Sequence, residues 1–226
     1  MMSAREGFVI LLICFSMIGP VASQDLSDKI LDFLSIYTGN WDNKARVEKG
    51  LTDHVLYQGR SIPVDIIALR PAATLFLETA MNGIIHILAV AVVRQESDDT
   101  ISVTPYNFTD MTKYKPGQFG QFDPNELANI TFADLHGDKT CTATYEFESP
   151  TDIVGEWSDC RHEYTEGKHP QYFEMINCDH FTAGVTKGMG EAPTRVPNEL
   201  SHSGSRYPLV RAPATYISPC DKKLSD

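Results

Sequence analysis

The chain has 226 residues and a formal net charge of −11, from 30 Asp and Glu against 19 Lys and Arg, a balance that disfavours nucleic acid and anionic membrane as partners. Its length and 42% hydrophobic content suit one barrel-sized domain with a core, and no internal repeat or low-complexity tract divides it. Neither a G-x-S-x-G elbow nor a phosphate-cradling glycine loop ahead of a helix is present, which argues against the common nucleophilic and nucleotide-binding classes.

At the N-terminus, Arg5 precedes a run from Phe8 to Ile18 that is apolar but for Ser16. Gly19-Pro20 and Val21-Ala22-Ser23 then supply the small residues that suit signal peptidase. Residues 1–23 therefore read as a cleaved secretory signal. A run of about eleven apolar residues falls short of the roughly twenty that span a bilayer. The mature chain, 24–226, keeps the charge of −11 because Arg5 and Glu6 cancel.

Leu26, Ile30, Phe33, Leu34 and Tyr37 recur at helical spacing, with Gly39 placed to end that helix as a left-handed cap. Gly39-Asn40-Trp41 follows directly. A Gly-x-Trp between a short helix and a series of strands is how calycin-type barrels often begin, the large ring plugging one end. Strand-like runs come next: His54–Tyr57, Ile62–Leu69, Ala73–Thr79, Ile84–Arg94, Ile101–Phe108, Thr140–Phe147, Val154–Arg161, Gln171–Ile176 and His180–Thr186, with an edge strand expected around Tyr207–Val210. Thr140 to Phe147 alternates most clearly, and Gln58-Gly59, Asn82-Gly83, Ser97-Asp98-Asp99, Gly137-Asp138 and Gly167-Lys168 signal turns between antiparallel neighbours. His86, in an apolar strand, reads as a core histidine. The segment Thr109–Leu135 is polar, carries Pro116 and Pro124, and reads as an excursion between two halves of the barrel. The expected fold is all-β: an antiparallel up-and-down, lipocalin-like barrel of nine to ten strands over 24–210, with a short N-terminal helix and a tail at 211–226.

Cys14 leaves with the signal. Cys141, Cys160, Cys178 and Cys220 remain, an even number behind a secretory signal, which reads as two disulfides. Three pairings are open. Cys141 with Cys160 and Cys178 with Cys220 are favoured, because the first two lie on strands adjacent in sequence and the second pair would tie the proline-rich tail to the barrel. Asn107-Phe108-Thr109 and Asn129-Ile130-Thr131 are glycosylation sequons suited to a secreted protein. No metal is expected, since His162, His169 and His180 share no ligand spacing on one strand.

Thr38-Gly39-Asn40-Trp41-Asp42-Asn43, then Leu69-Arg70-Pro71 with Leu75-Phe76-Leu77-Glu78, then Tyr106-Asn107-Phe108 followed by Tyr114, form an ordered series. It continues through Cys141, Cys160, Gly167-Lys168, Tyr172, Phe181 and Gly188. In that order the chain resembles the T-type phycobiliprotein chromophore lyases, the CpcT/CpeT family, from about Leu26 to Tyr207, and would be a secreted member. The resemblance implies a calyx that holds a bilin, an open-chain tetrapyrrole, as bound ligand, with chromophore lyase activity and a homodimeric state. The chain departs from the family pattern at Lys187-Gly188-Met189-Gly190, where members usually carry Arg-Gly-Arg-Asp or similar.

A bilin needs cations for its propionates, a carboxylate for its pyrrole N–H groups and aromatic walls. Arg70, Glu78, Tyr106 and Tyr145 offer that set and are the candidate ligand-binding residues, Arg70 and Glu78 leading because they stand on the resembling motif. Trp157 reads as packing. Two other classes compete with a lyase: a lipocalin-like extracellular carrier without catalysis, and a structural or matrix protein whose barrel interior is filled by bulky apolar side chains.

Overall fold

Helix α1 (Asp28–Tyr37) forms because Ser27 caps it, accepting the Ile30 amide at 3.3 Å, and because an apolar sequence lets it lie inside the protein. From Leu31 onward Phe33, Leu34, Ser35, Ile36 and Tyr37 are all buried, so α1 is a core helix, and Ser35 satisfies its own hydroxyl on the Leu31 carbonyl at 2.8 Å. The structure, a computed structural model, describes residues 25–110, 123–137, 141–157, 171–186 and 196–222. The expected signal at 1–23, Cys160, Gly167-Lys168, His162, His169 and Lys187–Gly190 lie outside the described residues.

Around α1 runs one closed antiparallel sheet. Its strands are β1 (Gly39–Asp42), β2 (Tyr57–Val64), β3 (Ala73–Met81), β4 (Ile84–Gln95), β5 (Thr100–Phe108), β6 (Leu135–His136), β7 (Ala143–Ser149), β8 (Asp152–Trp157), β9 (Gln171–Asn177), β10 (His180–Thr186) and β11 (Asn198–Ser203). Consecutive strands pair, β5 pairs directly with β7, and β1 pairs with β11, closing a ten-stranded up-and-down barrel to which the two residues of β6 are an annex. A five-residue helix, α2 (Lys44–Glu48), joins β1 to the β2 approach.

Several strand boundaries differ from the expectation. Gly39 opens β1 instead of capping the helix, whose C-cap is Thr38 in extended conformation. The run from Ile62 stops at Val64, and Ile67–Leu69 is a 3-10 turn. The last strand is β11, not Tyr207–Val210, which is irregular. Leu200 is the lone aliphatic residue of β11, so the strand carries almost no period-two signal. His86 is exposed: the first residues of β4 project past the region where β5 pairs with it, and burial starts at Leu88.

Two apolar layers result, one on each face of the sheet. The inner one gathers Phe33, Leu34, Tyr37, Trp41, Leu75, Ala91, Val93, Ile101, Val103, Ala143, Tyr145, Ile153 and Ile176 around α1. The outer one places Ile62, Val64, Phe76, Val90, Val92, Tyr106 and Phe108 under Leu127, Ile130 and Leu135 of the excursion, whose described part folds as 3-10 turns at Pro124–Leu127 and Phe132–Asp134.

The tail locks the helix in place. Cys178 at the end of β9 is bridged to Cys220, with Cα atoms 5.5 Å apart, as the cysteine count suggested. Leu209, Ala212, Tyr216 and Cys220 pack against the α1 cluster. Arg206 donates to the Ser35 carbonyl at 2.6 Å, to the Thr38 carbonyl at 3.4 Å and to the Cys178 carbonyl, so one guanidinium satisfies carbonyls at the end of α1 and the end of β9 together. The Tyr216 hydroxyl donates to Asp32 at 2.8 Å.

Gly39 has φ of +151°, and a Cβ built there would lie 2.3 Å from the His202 Nε2. Gly39→Ala should therefore lower stability by about 1–3 kcal/mol in urea unfolding, from backbone strain plus the displaced imidazole. His202→Ala in the same chain should recover part of that loss and not all of it.

Candidate ligand site inside the barrel

Inward-facing side chains are sealed at the α1 end and open to solvent at the other. Leu75, Ala91, Val93, Ile101, Val103 and Ala143, all inward, are 0% exposed. Continuing along the same inward rows, Thr79, Tyr57, Trp157 and Ala183 are half-buried, Ile87 is 41% exposed and Asn107 is exposed. A barrel plugged at one end by a helix and accessible at the other is a calyx.

One row of the sheet crosses this calyx as Tyr145, Gly155, Glu174 and Ala183, on β7, β8, β9 and β10. Because Gly155 carries no side chain, the Tyr145 ring lies over it and its hydroxyl donates to Glu174 Oε2 two strands away. A Cβ at Gly155 would meet the Tyr145 ring at 2.2 Å. Tyr145 is held from the other side by α1, with the Phe33 ring 5.2 Å away and the Tyr37 ring 5.7 Å away, both edge-on.

Burial pushes the Glu174 carboxyl up to about 7, against the smaller opposing effects of the Tyr145 hydrogen bond and the nearby Trp157 indole. The Trp157 N–H is buried and falls short of a proper hydrogen bond, yet stands close enough to favour the charged carboxylate. Burial first, and the Glu174 charge second, push the hydroxyls of Tyr37, Tyr57 and Tyr145 well above the ordinary tyrosine range, so all three stay protonated. The Thr79 hydroxyl, also short of a proper hydrogen bond, faces Tyr57. The calyx thus offers one acceptor that changes charge near neutrality, several O–H and N–H donors, and aromatic walls.

Of the four sequence-derived ligand candidates, Tyr145 alone stands in this group. Glu78 and Tyr106 face outward. Leu75 and Leu77 of β3 and Ile101 and Val103 of β5 face α1, so alternation turns Glu78 and Tyr106 to the layer beneath the excursion. There Glu78, fully buried, pairs with Arg60 at 2.5 Å directly across β2 and β3. Tyr106 packs edge-on to Phe132 at 6.3 Å. Arg70 follows the Ile67–Leu69 turn and makes a two-pronged ion pair with Asp65, at 3.0 Å through Nε and through Nη2, about a quarter exposed. Arg70 and Glu78 therefore belong to two separate ion pairs, each with its own partner.

Glu174, Tyr37, Tyr57 and Trp157 are the site residues that sequence reading passed over. A signal existed for one of them: in Tyr172-Phe173-Glu174-Met175-Ile176, period two puts Glu174 on the face of Ile176, a carboxylate among core positions. Cys141 is disulfide-bonded, its expected partner Cys160 lying outside the described residues. Asn107 and Asn129 are both exposed. Among the described residues no group of His, Cys, Asp and Glu could hold a metal ion, and no helix is long and apolar enough to cross a membrane. On the outer surface, Asn40, Asp42, Gln58, Arg60, Ser203 and Tyr207 line an open groove of about 360 Å³.

No family model and no curated protein matches the sequence. Among solved structures, the fold is similar to that of the protein titled SeMet CRL Protein of Arabidopsis, with a TM-score of 0.54 and 13% identity over 78% of this chain and 97% of that one. That likeness establishes a shared barrel fold.

Two outcomes follow from the geometry. Gly155→Ala should cost about 1–3 kcal/mol in denaturant unfolding, because the added methyl drives Tyr145 off Glu174. Glu174 holds its proton more tightly folded (about 7) than unfolded (4.5), so its contribution to stability is full below 4.5 and is lost as pH rises to about 7. Thermal melts across that window should therefore show the wild type losing stability relative to Glu174→Gln, whose amide does not titrate. Parallel curves for the two proteins would contradict the raised carboxyl.

Proposed function

We propose that this protein is a ligand-binding calyx whose occupant enters the accessible end of the barrel and rests against Glu174, Tyr57 and Trp157, with Tyr145 and Tyr37 buried behind them. The observation that carries this reading is a carboxyl held inside a barrel among aromatic rings, on inward rows that stay open to solvent. A core built only for stability would be better served by an apolar residue there. The same openness weighs against a matrix protein with a filled interior.

For the ligand we propose a bilin or a similar flat molecule. The ordered motifs from Gly39 to Phe181 that resemble the CpcT/CpeT lyases support it, together with a barrel fold shared with a solved structure. Glu174 takes the carboxylate role expected of Glu78, and Tyr145 orients it through its hydroxyl. Binding without catalysis is the stronger form of the proposal: Cys141, Cys178 and Cys220 are in disulfides, so the described calyx offers no thiolate, and Glu174 can hold, give or take only a proton. Secretion is part of the same reading, resting on the signal-like residues 1–23, the disulfides and the exposed sequons at Asn107 and Asn129.

The full sequence expressed in a eukaryotic secretion host gives the test. Adding biliverdin should produce a shifted visible band and quench tryptophan fluorescence through Trp157. Tyr145→Phe should weaken that binding, and Glu174→Gln should weaken it roughly ten- to hundredfold, the range for a hydrogen bond to a charged group. A folded wild type that leaves the biliverdin spectrum unchanged would remove the bilin from the proposal.

A further inference from the structure

We infer that the calyx selects a ligand presenting a protonated nitrogen, with Glu174 as its counter-charge and the surrounding aromatic rings as its walls. This rests on the calyx reading above and adds the charge of the group that is recognised.

Several elements face Glu174. Helix α1 contributes Tyr37, β2 contributes Tyr57, β7 contributes Tyr145 and β8 contributes Trp157, while Ala183 of β10 lies opposite on the sheet. None of these carries a positive charge, and among the described residues no Lys, Arg or His forms an ion pair with Glu174. The carboxylate on the outer face shows the contrast: Glu78, fully buried, is given Arg60. An ionised carboxylate among rings and hydroxyls without a cation is costly, so Glu174 stays partly protonated near neutrality. A ligand that brings a cation removes that cost and expels the proton. Its apolar body then lies against tyrosine and tryptophan faces, the surfaces that attract organic cations. A neutral ligand gains the walls alone, and an anionic group at this position would raise the cost. For a bilin, the corresponding group is a protonated pyrrole nitrogen, its propionates lying outward from Glu174.

Tryptamine and its neutral counterpart tryptophol share one ring system and differ in ammonium against hydroxyl, so they isolate the charge. Titrated calorimetrically into the secreted protein at about pH 8, tryptamine should bind at least about tenfold more tightly than tryptophol. That advantage should shrink toward about pH 5.5, where Glu174 is protonated. In Glu174→Gln it should fall within about twofold while tryptophol binding holds. Tyr145→Phe, which leaves the carboxyl in place, should keep the tryptamine advantage. Equal binding of the two probes, or an advantage that survives Glu174→Gln, overturns the inference and leaves the calyx standing. Failure of both probes to bind overturns the calyx with it. Should Glu174→Gln not fold, the pH dependence of the wild-type ratio decides alone: a ratio unchanged between the two pH values refutes the role of Glu174.

Discussion

Four residues hold the barrel shut. Gly39–Asp42 pair on one side with β2 and on the other with β11, so the first strand after the helix is also the seam where the beginning of the described chain meets its last strand. Without that seam β2 and β11 would be open edges and α1 would have no wall to lean on. The inward side chains of the strand explain why it can be so short. Gly39 leaves room for the His202 ring, and Trp41 fills the end, its N–H donating to the Tyr37 carbonyl at 3.2 Å and its ring meeting Phe181 at 5.7 Å and His202 at 5.1 Å. Joining segments some 160 residues apart in sequence costs loop entropy that a few ladder bonds repay poorly. The supports are supplied nearby by Arg206 bridging α1 to β9 and by the Cys178–Cys220 disulfide, which constrains the unfolded chain.

That arrangement divides the lumen by depth. Near the seam and helix the inward rows are aliphatic or aromatic and buried; beyond Tyr145 they become mixed in character and more exposed. Glu174 sits at the changeover. Its hydrogen bond from Tyr145 keeps it from being a bare buried charge, and its access to solvent lets it change protonation without unfolding the barrel. Gly155 makes the arrangement fit, because any side chain between Tyr145 and Glu174 would separate donor from acceptor.

Fold and site were legible to different depths. The helix is written in the spacing of Leu26, Ile30, Phe33, Leu34 and Tyr37, the β3–β4 hairpin in Asn82-Gly83, which takes φ of +49° and +78°, and the tail bridge in the cysteine count. Strand β11 was hidden because Asn198, Glu199, Ser201 and Ser203 surround a single Leu. The site was hidden for another reason. In Ala73-Thr74-Leu75-Phe76-Leu77-Glu78 both faces are apolar, since one packs on α1 and the other lies under the excursion, so period two cannot say which face is inner. A charged residue in such a strand is conspicuous but its direction is not, and alternation with Leu75 and Leu77 turns Glu78 outward.

The two buried glutamates, read together, show what the barrel does with charge. Glu78 is neutralised by the protein itself, through Arg60 in direct register across one pair of strands, on the outer face of the sheet. Glu174 lies on the inner face with hydroxyl donors and rings but no cation from the described residues. An ion pair completed within the fold fixes register and asks nothing of a ligand. A carboxyl left to titrate on the inner face, among rings and hydroxyls, has instead the character of a ligand site.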